Sequence, residues 1–334
     1  MYKAEDRCNC RQRLHKGLSM IKSRVWSVAV GVIVVVAILI YIYYQPYSLR
    51  FLKNVSLSNL IFLIIIRILF QTINGLLLRE CASTFGTVLK PKEWFGLSVV
   101  TTMGNYLSPF SGGMVARAAY LKHRHAFPYA RFASLLAASY LIYFWAIGVV
   151  GVITMITSGE KLAFYWQVFS FLVAVVLIIS TLIMLPPVKF PRTNRLTAMI
   201  NNSIDGWTFI KADKALLFKL AIYSLISIFL NGVSFWIAFI TLADFPISFG
   251  TVFLISLLSV FSILFNLTPG NFGIQEAIIS LTSGLFGIGT GIGLLASLLI
   301  RAASLIPIFT LGPIFSFVLT RELTDTARRD DDDH

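Results

Sequence analysis

The sequence has little charge and little acid. Only 13% of its 334 residues are charged, whereas 57% are hydrophobic and the mean hydropathy is +0.80. Soluble domains carry roughly 25% charged residues, so this composition excludes a soluble globule and indicates a polytopic membrane protein. We therefore expect most of the chain to lie in lipid.

Cysteine, histidine and known catalytic motifs are also scarce. The three cysteines form no disulfide framework, and the Cys8 and Cys10 pair has no further Cys or His at ligand spacing, so free thiols are expected. For His123 and His125, which lie in a basic cluster without acids nearby in sequence, we expect a solvated or lipid-facing role. There is no P-loop, H-E-x-x-H motif, Ser-His-Asp set or pair of catalytic carboxylates. We expect no metal site, no cofactor and no enzymatic activity.

The net charge of +13 follows the loops of a membrane protein rather than a nucleic-acid-binding surface. Lys and Arg concentrate before residue 25, at 79–92, at 122–124, at 189–214 and after residue 320. Cytoplasmic loops are enriched in Lys and Arg, so both termini are predicted to be cytoplasmic. The pattern predicts a multi-pass protein of the plasma membrane with no nucleic-acid partner.

Six apolar segments are long enough to span the bilayer as helices, which takes about 20 residues. They are residues 25–44, 57–78, 133–157, 163–185, 216–242 and 291–319. In the basic loop before residue 216, apolar residues between 196 and 207 recur at helical spacing, which predicts a short amphipathic helix on the inner membrane surface.

Two Pro- and Gly-rich breaks interrupt the other apolar segments. The first break, LSPFSGG, covers residues 107–113, and the second break, LTPGNFG, covers residues 267–273. The helical pattern after the first break is too short to span and ends in a basic cluster, so we predict a re-entrant hairpin entered from the cytosol. The second break predicts a hairpin entered from outside. Backbone groups freed by a break find no water in hydrocarbon, so such breaks usually line a cavity or lie buried in protein.

The two breaks lie 160 residues apart, and the same shift maps segments 57–78 and 133–157 onto other predicted helices. The predicted fold is an all-α polytopic membrane protein, an inverted repeat of helix, re-entrant hairpin and helix, with about six full spans and two hairpins. The predicted divisions are a basic cytosolic tail (1–24), a single transmembrane domain (25–320) with repeats 57–157 and 215–319, and a cytosolic C-terminal tail (321–334).

A few charged residues are predicted deep in the membrane, where charge is costly and usually faces a cavity or a partner. Arg67 and Arg301 lie within predicted spans, Arg117 follows the first break, and Glu276 follows the second. Glu276 is the only acid predicted at such depth, so we expect it to pair with Arg301 or Arg67. Whether such a pair is structural or binds a ligand stays open from the sequence.

Glycines in the breaks permit close approach of the backbone: Gly112 and Gly113 in the first, Gly270 and Gly273 in the second. The helix after each break is expected to direct its free N–H groups and positive dipole end at the protein centre, where an anion could bind. The alternative interpretation is a flexible break with tight packing.

The motifs around the breaks resemble a known family. Residues 268–276 read T-P-G-x-x-G-x-x-E, with Arg301 and Pro307 downstream, and residues 109–117 read P-x-x-x-G-x-x-x-R. Over about residues 57–319 the chain resembles the flippase-like transmembrane family of lysylphosphatidylglycerol synthases. The resemblance implies a translocase that moves an anionic or aminoacylated phospholipid, or a polyprenyl-linked lipid, between leaflets. Without the soluble synthase domain of that family, lipid aminoacylation is not expected from this polypeptide.

On this hypothesis the three arginines neutralise a headgroup phosphate together with the two helix N-termini, while Glu276 holds an arginine or contacts a cationic headgroup. The predicted substrate-binding residues are Arg67, Gly112, Gly113, Arg117, Gly270, Gly273, Glu276 and Arg301. Two other classes stay open: a secondary transporter of a small anionic solute, and a non-transporting membrane subunit that docks a lipid or glycan synthase such as a glycosyltransferase. Self-association is a further open alternative.

Overall fold

The computed structural model describes residues 55–108, 111–158, 165–186, 191, 195–265 and 267–332, and every regular element in these ranges is a helix. The α-helices are α1 (Leu57–Thr84), α2 (Pro91–Leu107), α3 (Gly112–His125), α4 (Tyr129–Ser158), α5 (Tyr165–Met184), α6 (Arg195–Ala212), α7 (Lys214–Leu242), α8 (Phe249–Val260), α9 (Ile274–Leu285) and α10 (Thr290–Asp332). Two short 3-10 helices, Phe261–Phe265 and Pro269–Asn271, lie between α8 and α9.

Five of these helices, α1, α4, α5, α7 and α10, are long and apolar enough to cross a bilayer. They match five of the six predicted spans, while the predicted span 25–44 and the basic tail before it lie outside the described residues. Large apolar side chains such as Ile65, Leu177, Phe229 and Phe317 are exposed on these helices. Lipid is the solvent that suits such surfaces. The prediction of an all-α polytopic membrane protein is confirmed.

The two breaks join pairs of short helices. The first break connects α2 and α3, which pack against each other and have 17 and 14 residues. The second break connects α8 and α9, which also pack together and have 12 residues each. Each helix is shorter than the roughly 20 residues needed to span a bilayer. These lengths are those expected of re-entrant hairpins, and their depth in the membrane stays a prediction.

The order of one long helix, two short helices and one long helix occurs twice, as α1–α4 and α7–α10. The first helix of each half packs against the last helix of the other, α1 against α10 and α7 against α4. The short pairs do the same, since α2 contacts α10 and α8 contacts α4. Reciprocal packing of this kind is expected for two halves related by a twofold axis. The inverted orientation and the repeat boundaries 57–157 and 215–319 stay predictions.

Close helix packing surrounds the centre of the protein. Small residues at helix contacts let backbones approach, as they commonly do in membrane bundles. At Gly75, where α1 meets α2, an added Cβ would lie only 2.8 Å from the carbonyl oxygen of Trp94. The predicted short helix before α7 is present as α6, which packs on α4. The helices thus form a close-packed frame around the two breaks.

Candidate functional site

In the first break, glycine holds the two arms of the hairpin together. A Cβ on Gly113 would lie 1.9 Å from the carbonyl oxygen of Thr101, and one on Gly104 would lie 2.8 Å from the Cα of Gly113. Gly112 is likewise packed, because an added Cβ would lie 2.1 Å from Ser108 Oγ. Gly112 and Gly113 line neither of the two cavities described below. These contacts favour the packing interpretation of both glycines.

The second break packs onto the end of α2, beside the first break. Gly270 has a φ of 60°, a left-handed conformation that favours glycine. A Cβ there would also lie 2.3 Å from the ring of Tyr106 in α2. Only a glycine therefore combines this backbone angle with this contact, and it brings the second break next to the first.

A cavity of about 390 Å³ lies beside both breaks. This volume falls in the range typical of small-molecule sites. Its polar lining consists of Arg67, Gln71, Asn74, Ser98, Thr101, Thr102, Asn105, Tyr106, Arg117, Ser139, Tyr140, Tyr143, Ser224, Ser227, Asn231, Ser259, Ser262, Asn271 and Gln275. None of the described residues that line it is acidic. The structure thus brings Arg67, Arg117 and Gly270 together around a cavity of positive charge.

Arg67 enters this cavity from α1, in the middle of the apolar run 57–78. It is the eleventh residue of that helix, about 15 Å from its start, which is half the thickness of a hydrocarbon core of roughly 30 Å. Its Nη1 donates to Asn231 Oδ1 at 3.3 Å. Its Nε and Nη2 are buried without a hydrogen-bond partner. Arg67 therefore links the two halves and keeps free donors.

Arg117 enters the same cavity from α3. Its Nε donates to Thr101 Oγ1 of α2 at 2.8 Å. Among the described residues no acid forms an ion pair with Arg117. The guanidinium is thus fixed by a neutral hydroxyl and retains its positive charge uncompensated.

Arg301 is paired. Its Nε donates to Glu276 Oε1 in a close ion pair, and its Nη1 donates to the carbonyl oxygen of Gly270 at 2.9 Å. The rings of Phe272 and Tyr106 lie 4.9 Å and 5.6 Å from its guanidinium carbon, within the range of cation–π contacts. Of the two partners that the sequence left open for Glu276, the structure selects Arg301, and both side chains are buried.

The same glutamate covers the start of α9. Glu276 Oε2 accepts the N–H of Gly273 at 2.7 Å, so the carboxylate occupies the N-terminus of its own helix. A ligand would compete there with a buried carboxylate. The expectation that both half-helix N-termini receive the substrate therefore finds no support at α9.

A smaller cavity of about 140 Å³ adjoins the first and is lined by Arg67, Glu276 and Arg301. Six buried side-chain nitrogen or oxygen atoms of residues that line the two cavities have no hydrogen-bond partner within the described part of the chain. The six atoms are Arg67 Nε, Arg67 Nη2, Asn105 Oδ1, Ser224 Oγ, Asn271 Oδ1 and Arg301 Nη2. Unpartnered buried polar atoms are rare in proteins. Their concentration marks this region as the candidate binding site.

A metal ion would need several His, Cys, Asp or Glu side chains close together. In the described part of the chain, no group of three or more His, Cys, Asp or Glu side chains could hold a metal ion. The candidate site is built from guanidinium, amide and hydroxyl groups, which suit an anion better than a cation.

A buried acid that the sequence analysis missed ties the first hairpin to its neighbours. Glu93 is 1% exposed and is the third residue of α2. Its Oε2 accepts the N–H of Lys90 at 2.8 Å, and its Oε1 lies 3.0 Å from His125 Nε2 and 3.2 Å from the Tyr120 hydroxyl. The expectation of a solvated or lipid-facing His125 is therefore wrong. Tyr120 also lies 3.3 Å from Glu322, so the cluster connects α2, α3 and α10.

Glu93 is expected to stabilise the protein in a pH-dependent way. Burial acts to raise the pKa of its carboxyl group, but the hydrogen bonds from Lys90 and from the facing His125 and Tyr120 bring the pKa below its ordinary value. A lowered pKa means that the stabilisation is complete above about pH 4.5 and is lost as the pH falls through the folded-state pKa. Glu93→Gln should therefore lower the free energy of unfolding by about 1–3 kcal/mol at neutral pH.

Thermal unfolding in detergent, measured from neutral to acidic pH, tests this. The gap between wild type and Glu93→Gln should shrink at acidic pH. Glu80→Gln is the matched control, because Glu80 pairs at 2.8 Å with the exposed Lys219, and solvent-exposed pairs of this kind contribute little to stability. A gap that stays constant over the whole range would contradict the prediction.

The comparisons with known proteins agree with the motifs around the breaks. The family described as "Lysylphosphatidylglycerol synthase TM region" matches residues 25–312, which include both breaks and both halves. No soluble synthase domain is matched. No curated protein and no solved structure matches the chain. The chain thus belongs to the lysylphosphatidylglycerol synthase transmembrane family, and this membership associates the multi-pass protein with lipid metabolism or lipid translocation.

Proposed function

We propose that the protein is a lipid translocase that moves an anionic lipid between leaflets by passing its headgroup through the larger cavity. One observation carries the proposal: Arg67 and Arg117 line one cavity, and no acid pairs with either among the described residues. Charged side chains at membrane depth are costly and normally have a partner. An anionic headgroup provides that partner, and the step requires no covalent chemistry.

The outer surface beside the cavity supports a lipid over a free solute. Ser262 and Ile263 of the 3-10 helix Phe261–Phe265 line the cavity, whereas the next two residues, Leu264 and Phe265, are 64% and 56% exposed. This 3-10 helix therefore forms one wall of the cavity and presents apolar side chains on its outer face. On our proposal this wall opens sideways, so that the acyl chains stay in lipid while the headgroup crosses.

The breaks provide the moving parts in this proposal. Ser111 and Asn271 have φ values of 57° and 55°, and both lie just before the second arm of a hairpin. Left-handed backbone is uncommon at residues other than glycine, although Asn adopts it more readily than Ser, and such conformations cluster at switch regions. We propose that the two hairpins tilt in turn and expose the cavity alternately to each side.

Reconstitution tests the function. Purified protein in liposomes should accelerate the transbilayer movement of fluorescent anionic phospholipids, phosphatidate or phosphatidylglycerol, over empty vesicles. Arg117→Gln should slow this movement by about 10- to 100-fold, because it removes charged hydrogen bonds to the headgroup. Lys122→Gln is the matched control, since Lys122 is exposed on the same helix and lines neither cavity.

The alternatives make different predictions in the same experiment. Movement no faster than in empty vesicles would refute the translocase, and uptake of a soluble anion instead would support the solute transporter. If neither occurs and a synthase or glycosyltransferase co-purifies, the protein is a docking subunit.

A further inference from the structure

We infer that the headgroup which this cavity binds carries two negative charges on a terminal phosphate, that is, a phosphate monoester or a diphosphate. The inference rests on the proposed function and deepens it, because the proposed function requires only an anionic lipid. It concerns the charge that the site selects, and it distinguishes such lipids from phosphodiester, zwitterionic and aminoacylated ones.

The charge count around the two cavities carries the inference. Three arginines line them, and the single acid among their described lining residues is Glu276. Glu276 forms an ion pair with Arg301, so these two charges balance. Arg67 and Arg117 remain, and both line the larger cavity. The larger cavity therefore has two positive charges without a counterion among its described lining residues.

Other headgroups match this charge less well. A phosphodiester brings one negative charge and leaves one partly buried guanidinium without an ionic partner, which is unfavourable in a site of low dielectric constant. A zwitterionic or aminoacylated headgroup also brings an ammonium group. No Asp or Glu among the described lining residues of the larger cavity could receive that ammonium. A terminal phosphate is the simplest group that balances both arginines.

The unpartnered nitrogens of Arg67 also favour a terminal phosphate. Arg67 keeps Nε and Nη2 unpartnered, and these two nitrogens form one edge of the guanidinium. An edge of this kind binds two oxygens of a phosphate side by side. A terminal phosphate offers three strong acceptor oxygens, so one remains for a further donor of the cavity after two have bound Arg67. A phosphodiester has only two such oxygens.

The test compares lipids that differ in headgroup charge, in the same proteoliposomes at about pH 8, where a terminal phosphate carries close to two charges. The probes are fluorescent phosphatidate, phosphatidylglycerol and phosphatidylethanolamine. Phosphatidate should move at least about tenfold faster than phosphatidylglycerol, and phosphatidylethanolamine should move slowest. Arg67→Gln and Arg117→Gln should each bring the phosphatidate-to-phosphatidylglycerol ratio close to one, because each leaves a single positive charge.

Two control variants isolate the site. Arg79→Gln and Lys122→Gln remove exposed cations from α1 and α3, outside both cavities, and should leave the ratio unchanged. A wild-type ratio near one, with movement of both lipids still lost in the arginine variants, would overturn the inference and leave the proposed function standing.

A binding measurement on the wild-type protein separates the remaining outcomes and does not depend on the folding of variants. Inorganic phosphate should raise the thermal midpoint of the detergent-solubilised protein, whereas dimethyl phosphate, a diester, should not. If no lipid moves but phosphate alone stabilises the protein, the dianion site stands and the ligand is a free phosphate, so the translocase is refuted. If both compounds raise the thermal midpoint equally, or neither raises it, the inferred selection for a dianion is overturned.

Discussion

Glu276→Ala is expected to lower the free energy of unfolding by about 3–5 kcal/mol, because removing one partner of a buried ion pair leaves an uncompensated charge. The partner is Arg301, which is 6% exposed and whose Nη1 also donates to the carbonyl oxygen of Gly270. The same substitution removes the acceptor for the Gly273 N–H at the start of α9. The pair therefore joins the second break, α9 and α10, and its loss should loosen all three.

The control is the double variant Glu276→Gln with Arg301→Met, which removes both charges. It should be more stable than Glu276→Ala, since replacement of a whole buried pair is far less costly than removal of one member. Thermal unfolding of the purified protein in detergent measures both. If the double variant is no more stable than Glu276→Ala, the buried charge is not the cause of the loss.

Gly113→Ala is expected to destabilise the first hairpin by about 3 kcal/mol or more, the upper range for overpacking. The added Cβ would lie 1.9 Å from the carbonyl oxygen of Thr101, which is a backbone atom and cannot rotate away as a side chain can. Relief requires separation of α2 and α3. Because Arg117 binds Thr101 across the same contact, lipid movement should fall together with the thermal midpoint.

Gly86→Ala separates a steric clash from backbone strain. Gly86 has a φ of 79° and no atom within 4 Å of an added Cβ, so the only penalty is the left-handed conformation, about 1–2 kcal/mol. The Gly86→Ala variant should be clearly more stable than the Gly113→Ala variant and should retain lipid movement. Equal losses in the two variants would show that close packing at Gly113 is not what stabilises the hairpin.

The spans could be predicted from the sequence because a long apolar run has few alternatives in lipid. The ends of the helices could not. The apolar run in α1 ends near Leu78, yet the helix continues to Thr84, and α10 continues to Asp332, well beyond the predicted end at residue 319. Hydropathy reports where lipid ends, whereas a helix can extend into water wherever the residues favour it.

The charged site was only partly predictable. The cost of charge in hydrocarbon singled out Arg67, Arg117, Glu276 and Arg301, and all four line the two cavities. The choice of Arg301 over Arg67 as the partner of Glu276 depends on how α1, α9 and α10 are rotated against each other, which hydropathy does not specify.

The remaining differences between sequence and structure concern Glu93 and the two glycines of the first break. The sequence pattern places Glu93 in the first turn of a helix, because it closely follows a proline. The pattern does not reveal its partner His125, which lies 32 residues away. The sequence leaves two roles open for Gly112 and Gly113, substrate binding and tight packing, because a glycine in a break can contact a ligand or a neighbouring helix equally well. Only the position of Thr101 separates these two roles for Gly113.

The position of Arg67 in the middle of the apolar run of α1 has a consequence for biosynthesis. An arginine at the centre of a helix opposes insertion by the translocon by about 2.5–3.5 kcal/mol. α1 also contains fifteen Leu, Ile and Phe residues, which together favour insertion by roughly 5–9 kcal/mol. The long aliphatic run thus allows α1 to enter the bilayer with its arginine already in place, before α7 is synthesised and Asn231 becomes available to bind it.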